Sequence, residues 1–212
     1  MTQEKSTGTS LESENASSQK RGRPRDPELN ARVLDAAIEL YAAGGWAVFT
    51  FDAISRTAKV GKSALYNRWP SREDLLSETL EQRWLSLDSI NTGTFRGDIE
   101  ALAWALFEIF SSPTANVILY LQADSLRYPE VRHARAPYMA GLIKEGRSIV
   151  KRGIKRNEIS PASDTSLVMD ILVGTISNHI STTPLRLRTR MMAKSDTFIG
   201  SLVDLVEASV CK

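Results

Sequence analysis

A chain of 212 residues, of which 42% are apolar and 25% charged, is long enough to enclose a sizeable hydrophobic core. Residues 1–19 are polar throughout, and no apolar run approaches the roughly 18 residues of a membrane span, so we expect a cytoplasmic protein without a signal peptide or a membrane partner. The single cysteine, Cys211, excludes an intramolecular disulfide and any multi-cysteine metal site.

The charge is distributed unevenly along the chain. Ten cations and five anions lie between Lys20 and Arg72, which gives this segment a charge of +5, whereas the whole chain carries +2. A basic end joined to a slightly acidic body is typical of a protein whose head binds a polyanion.

The predicted elements begin with a disordered basic arm over residues 1–25, which are too poor in apolar groups to order by themselves. Asp26-Pro27 then provides the N-cap and first residue of a helix, which the pair Gly44-Gly45 ends. Thr50 caps a short second helix that runs to about Arg56.

A turn at Val60-Gly61 leads into a third short helix over "KSALYNRW", residues 62–69, which Pro70 stops. Ser71 and Asp74 then have the spacing of a capping box. They predict a fourth helix whose apolar stripe comprises Leu76, Leu80, Trp84 and Leu87.

The rest of the chain also has helical periodicity, and no segment shows the sustained alternation of a half-buried strand. Glycines and prolines, Pro137 among them, separate predicted helices at about 98–110, 114–127, 137–156, 162–182 and 195–210. The predicted fold is therefore all-α, with a three-helix N-terminal domain over residues 26–72 and a larger helical domain over residues 73–212.

The second and third helices and the tight turn between them form a helix-turn-helix. Leu65 and Trp69 would face inward, which leaves cations, hydroxyls and amides outside, as a helix that enters the roughly 12 Å wide major groove requires. An ordinary amphipathic surface helix has the same pattern. The turn, the helix lengths and the local excess of positive charge together favour DNA binding.

The stretch "FTFDAISRTAKVGKSALYNRWPSREDLL" resembles the N-terminal domain of TetR-family transcriptional repressors. The resemblance implies contacts to phosphates or base edges from Thr50, Lys62, Ser63, Ala64, Tyr66, Asn67, Arg68 and Arg72. The chain departs from the family pattern at two positions. Lys59 stands where a turn glycine is usual, and Gly61 replaces the usual serine cap of the recognition helix.

The basic arm has a motif of its own. Arg21-Gly22-Arg23-Pro24 resembles the core of an AT-hook, in which extended arginines enter a narrow A·T minor groove. A solubilising linker, or phosphate attraction without groove insertion, is the alternative. The position of the arm directly before the first helix favours a DNA contact by Arg21 and Arg23.

The resemblance also implies a body that dimerises through its last two helices and binds a small effector. Candidate dimer residues are Leu172, Ile176, Phe198 and Leu202. The residues expected to line an effector pocket are Trp104, Phe107, Phe110, Tyr120, Met139 and His179. Each of these is also an ordinary core residue by type.

The predicted function is a ligand-responsive regulator, most simply a repressor, which binds a palindromic operator as a homodimer and is released by its effector. The alternative is an architectural or activating DNA-binding protein without an effector. An enzyme is disfavoured because the two histidines, His133 and His179, belong to no metal-site or triad spacing, and we expect no metal and no cofactor.

Overall fold

The computed structural model describes residues 27–210, and every regular element in that range is a helix. The predicted all-α fold is therefore confirmed. The α-helices are α1 Pro27–Gly44, α2 Phe51–Ala58, α3 Lys62–Tyr66, α4 Arg72–Arg83, α5 Phe95–Ser111, α6 Asn116–Arg127, α7 Pro129–Lys155, α8 Thr165–Thr182, α9 Arg188–Met192 and α10 Ser195–Val210. Two short 3₁₀ helices, Gly45–Ala47 and Leu185–Leu187, lie between them.

The local signals that predicted the head are present as hydrogen bonds. The Thr50 hydroxyl accepts from the Ala53 amide at 3.2 Å and so begins α2. Ser71 and Asp74 make both bonds of a capping box at the start of α4. These caps depend only on neighbours in sequence, which is why the spacing alone was sufficient to predict them.

The turn between α2 and α3 holds a lysine in a left-handed conformation. Lys59 has φ of +55°, and its amide donates to the carbonyls of Arg56 and Ser55. A side chain at positive φ costs free energy that glycine avoids. The departure from the family pattern at this position therefore introduces local strain.

Several predicted boundaries are wrong. α4 ends at Arg83, so Trp84 and Leu87 follow the helix and do not extend it. Pro137 was expected to separate two helices, yet α7 begins at Pro129 and continues through Pro137. Proline 137 removes one helical hydrogen bond, but the burial of Val131 and Tyr138 on either side keeps the helix packed against its neighbours.

Residues 27–210 form two hydrophobic cores, and α4 belongs to the first. That core joins α1–α4 to Val117 and Leu121 of α6 and to the first half of α7. The second core joins α5, α8, α10 and the second half of α7. Because the first core includes residues from both sides of the predicted boundary at 72/73, the division into two domains stays a prediction.

No single helix between residues 27 and 210 is long and apolar enough to cross a membrane. The pair Phe95–Ser111 and Asn116–Arg127 passes the length and composition test together, although the two helices meet at an angle of 82°.

Replacing Lys59 with glycine should raise the free energy of unfolding by about 1 kcal/mol, because glycine adopts the left-handed conformation without steric cost. Urea denaturation of the variant and the parent measures the difference. Lys144→Gly, at an exposed position inside α7, is the control and should lower stability by about 1 kcal/mol. A lower stability for Lys59→Gly would show that Lys59 makes a contact worth more than the strain.

Candidate DNA-binding surface and ligand cavity

The recognition helix α3 presents a polar face to solvent. Leu65 and the following Trp69 are 0% and 2% exposed, so they fix the inner side of the helix. Of the eight contact residues proposed outside the arm, six belong to this segment: Lys62, Ser63, Ala64, Tyr66, Asn67 and Arg68. Ala64 is half-buried, and the other five are exposed. This surface is compatible with entry into a major groove, and the DNA contacts of the six residues stay a prediction.

Lys62 is not free in the DNA-free chain. Its ammonium nitrogen lies 2.7 Å from the Oδ1 atom of Asp52, and both side chains are exposed. The hydrogen bond from Lys62 lowers the pKa of Asp52 below its ordinary value. Lys62 therefore has a neighbouring carboxylate as its partner in the DNA-free chain.

Aromatic contacts hold the two remaining large side chains of the surface. The exposed ring of Tyr66 meets the buried ring of Phe51 edge to face, with centroids 4.7 Å apart. The guanidinium of Arg68 lies 5.5 Å from the centre of the Trp69 ring.

Arg72 has two partners within the protein. Its Nη1 donates to the carbonyl of Phe49 at 3.0 Å, and its guanidinium lies 4.2 Å from the centre of the Trp46 ring. Trp46 in turn stacks on Phe49 at 5.6 Å. Arg72 therefore ties the start of α4 to the segment before α2, whether or not it also holds a phosphate.

A cavity of about 440 Å³ lies between α5, α6, α7, α8 and the segment after α4. Of the six residues expected to line an effector pocket, Phe110 and Met139 are in its wall. Most of the other wall residues are apolar, and they include Trp84, Leu85, Leu102, Leu106, Leu121 and Tyr138. The volume and lining are those of a small-molecule site.

The other four expected pocket residues lie elsewhere. Phe107 is buried in the second core, and Trp104 packs edge to face against it. Tyr120 packs over Gly45 in the first core. His179 stacks on Phe198 at 3.9 Å beside a separate, more open cavity. The aromatic type of a residue therefore did not indicate whether it faces the cavity or the core.

Arg135 is a cavity residue that the sequence analysis missed. It lies one helical turn before Met139 on α7, and both line the cavity. Its Nε atom is buried and has no hydrogen-bond partner in the described part of the chain. The four-residue spacing from Met139 places both residues on one face of α7, but a charged residue on an amphipathic helix is usually assigned to solvent.

α4 runs from the candidate DNA-binding surface to the segment that lines the cavity. Tyr138, in the cavity wall, donates its hydroxyl to the carbonyl of Leu85 at 2.9 Å, just after α4. Within α4, Glu78 accepts at 2.8 Å from the indole nitrogen of Trp69, beside the recognition helix. α4 therefore contacts Trp69 through Glu78, and the segment that follows it lines the cavity.

A second connection runs through α6. The Asp124 carboxylate accepts from the Tyr41 hydroxyl at 3.0 Å and from the Trp46 amide at 2.7 Å. Since Arg72 packs on Trp46, the carboxylate links α6 of the body to the residues that hold the start of α4.

Three of the four candidate dimer residues are in the core of the single chain. Leu172 and Ile176 are 0% exposed and Leu202 is 4% exposed, so none of them is on an outer surface. Phe198 is half-buried against His179. The apolar stripes of α8 and α10 pack inside the protomer, and this assignment was wrong for Leu172, Ile176 and Leu202.

The arm residues Arg21 and Arg23 lie outside the described residues. Their contact with DNA stays a prediction.

Comparison with known proteins identifies both halves of the chain. The family model described as "Bacterial regulatory proteins, tetR family" matches residues 33–79, and that described as "Tetracyclin repressor-like, C-terminal domain" matches residues 90–205. The HTH-type transcriptional regulator AqdR of Rhodococcus erythropolis is 29% identical over 162 residues, which cover 76% of this chain and 78% of AqdR.

Two solved structures share the fold. GusR of Salmonella enterica aligns with a TM-score of 0.65 at 18% identity and covers 88% of this chain and 100% of its own. FadR of Bacillus subtilis, solved in complex with stearoyl-CoA, aligns with a TM-score of 0.62 at 18% identity, covering 83% of this chain and 96% of its own.

Lys62→Ala should weaken binding to a site selected from random-sequence DNA by about 1–3 kcal/mol and leave affinity for unselected DNA nearly unchanged, since a base contact is lost. Fluorescence anisotropy on both DNAs measures the two losses. Lys144→Ala, on the exposed face of α7, removes the same charge away from the head and serves as the control. Equal losses on the two DNAs would make Lys62 a phosphate contact.

Proposed function

The chain belongs to the TetR family of transcriptional regulators, and from that premise we propose that it is a ligand-responsive repressor that binds a palindromic operator as a homodimer and is released by a small-molecule effector. One observation carries the proposal. The 440 Å³ cavity is lined by Trp84 and Leu85, which directly follow α4, and the first residue of that helix is Arg72 in the head.

The length of α4 makes it a direct link. Its 12 residues span about 18 Å at 1.5 Å per residue. A ligand that displaces Trp84 would shift α4 and, through the bond between Glu78 and Trp69, the recognition helix. The ligand releases DNA only to the extent that it binds the shifted state more tightly than the DNA-bound state.

A homodimer is proposed because one helix-turn-helix reads only a few base pairs and two half-sites require two heads. The outer face of α10 is the proposed contact surface. Ser201, Leu205 and Ala208 follow one another there at helical spacing, all are exposed, and Leu205 is 63% exposed. Gly174 on the adjacent α8 has open space at its Cα, which would permit a close approach of a second copy.

Selection of bound fragments from random-sequence DNA tests the proposed function. We expect a palindromic site whose half-site centres are one helical turn, about 10 base pairs, apart or a multiple of that distance. Small molecules that raise the thermal stability of the protein should then release this DNA. Stabilising molecules that leave DNA binding unchanged would favour an architectural or activating protein without an effector.

Leu205→Lys should yield folded monomers with weakened operator binding, because a charge would replace an exposed apolar contact of the proposed dimer surface. Light scattering gives the mass and circular dichroism the helix content. Leu202→Lys is the contrasting variant, which should unfold the protein because the charge would be buried. A dimer of undiminished affinity with Leu205→Lys would place the interface elsewhere.

The proposed DNA contact of the arm predicts a change in salt dependence. Each phosphate neutralised steepens the log–log dependence of affinity on salt by about 0.9, so a dimer of a chain that begins at Asp26 should have a slope flatter by several units. A preference for A·T-rich flanks should disappear with the arm if Arg21 and Arg23 enter the minor groove. An unchanged slope would make the arm a linker.

A further inference from the structure

One cation in the cavity wall has a buried donor without a partner. Arg135 lines the cavity, and no hydrogen bond or ion pair joins it to another residue between 27 and 210. The side chain is half-buried, and its Nε atom is buried without a hydrogen-bond partner among those residues. A buried donor without an acceptor is destabilising, and such groups in folded proteins are rare.

The surroundings of Arg135 distinguish it from the other charges of the cavity. Arg147 and Asp170 also line the cavity, but both side chains are exposed. The uncharged polar residues of the wall, Gln122, Thr165 and Ser166, carry no charge that could compensate the guanidinium. Arg135 is therefore the half-buried charge among the lining residues, most of which are apolar.

We infer that the ligand of this cavity is an amphipathic organic acid, whose carboxylate pairs with Arg135 and whose hydrocarbon part packs against Leu102, Leu106 and Phe110. The inference rests on the proposed ligand-responsive function and adds the chemical class of the effector. A guanidinium binds a carboxylate through two parallel hydrogen bonds, which the two terminal nitrogens of Arg135 would donate. A neutral or cationic ligand leaves the charge of the guanidinium uncompensated.

The same guanidinium acts on the link to the head. Burial, followed by the charge of Asp124, raises the pKa of Tyr41, whereas the charge of Arg135 acts in the opposite direction. The Tyr41 hydroxyl donates to Asp124, so the charge of Arg135 acts near the hydrogen bond that joins α1 to α6.

Calorimetry with matched acids and alcohols tests the inference. The probes are decanoate with decan-1-ol and 4-phenylbutyrate with 4-phenylbutan-1-ol, all below their aggregation concentrations. In at least one pair the acid should bind about tenfold or more tightly than the alcohol. Arg135→Gln should abolish that preference with little change in affinity for the alcohol, and Arg135→Lys should retain part of it.

Arg147→Gln is the matched control, since it removes an exposed cation from the same cavity and should preserve the preference for the acid. Circular dichroism of each variant establishes that the helices are intact. Equal affinities for acid and alcohol, a preference that survives Arg135→Gln, or failure of both acids to bind would overturn the inference.

Anisotropy with the selected operator separates this inference from the proposed function. If alcohols and acids release DNA equally well, the proposed ligand-responsive function stands and the inferred preference for acids is wrong. A protein that binds no DNA would contradict the proposed function, while the calorimetric comparison would still decide the ligand class.

Discussion

The carboxylate of Asp124 determines how the head and the body fit together. It is 9% exposed and accepts from both Tyr41 and the backbone of Trp46, so one side chain of α6 joins α1 and the 3₁₀ helix that follows it. The chain can approach this closely only because residue 45 is glycine. A Cβ atom there would lie 2.6 Å from the Asp124 carboxylate, and φ is +63°. Gly45 therefore ends α1 and also admits α6.

α4 transmits this arrangement to the surface. Leu75, Leu76 and Leu80 are fully buried in the first core, so the helix cannot move without displacing its neighbours on α1 and α7. Close packing makes such a helix behave as a rigid element with a small number of packed positions. A short helix in this position suits a proposed switch better than a flexible linker would.

Features that depend on residues close in sequence could be predicted, whereas features that depend on tertiary packing could not. The caps at Thr50 and Ser71 involve partners three residues away, and both were predicted. The end of α4 and the continuity of α7 through Pro137 depend on tertiary packing, and both were missed. A proline in sequence indicates a lost hydrogen bond, whereas the compensating burial comes from other helices.

The functional residues of the body were harder to predict for a related reason. Helical periodicity identified the apolar stripe that contains Leu172 and Ile176, but the same stripe would serve an interface or a core. The structure shows that the protomer itself covers it. Arg135 was missed because a charged side chain is expected in solvent, whereas its Nε atom is buried.

If the protein binds an operator as proposed, the ion pair between Lys62 and Asp52 affects how quickly it finds that operator among other DNA sites. On arbitrary DNA, a lysine that exchanges a carboxylate 2.7 Å away for a phosphate would gain little, because the two anions attract it comparably. On the correct sequence, the proposed base contact would compensate for the exchanged pair. Asp52 would then lower the residence time at wrong sites, and a regulator that dissociates readily from them can survey more of the chromosome per unit time.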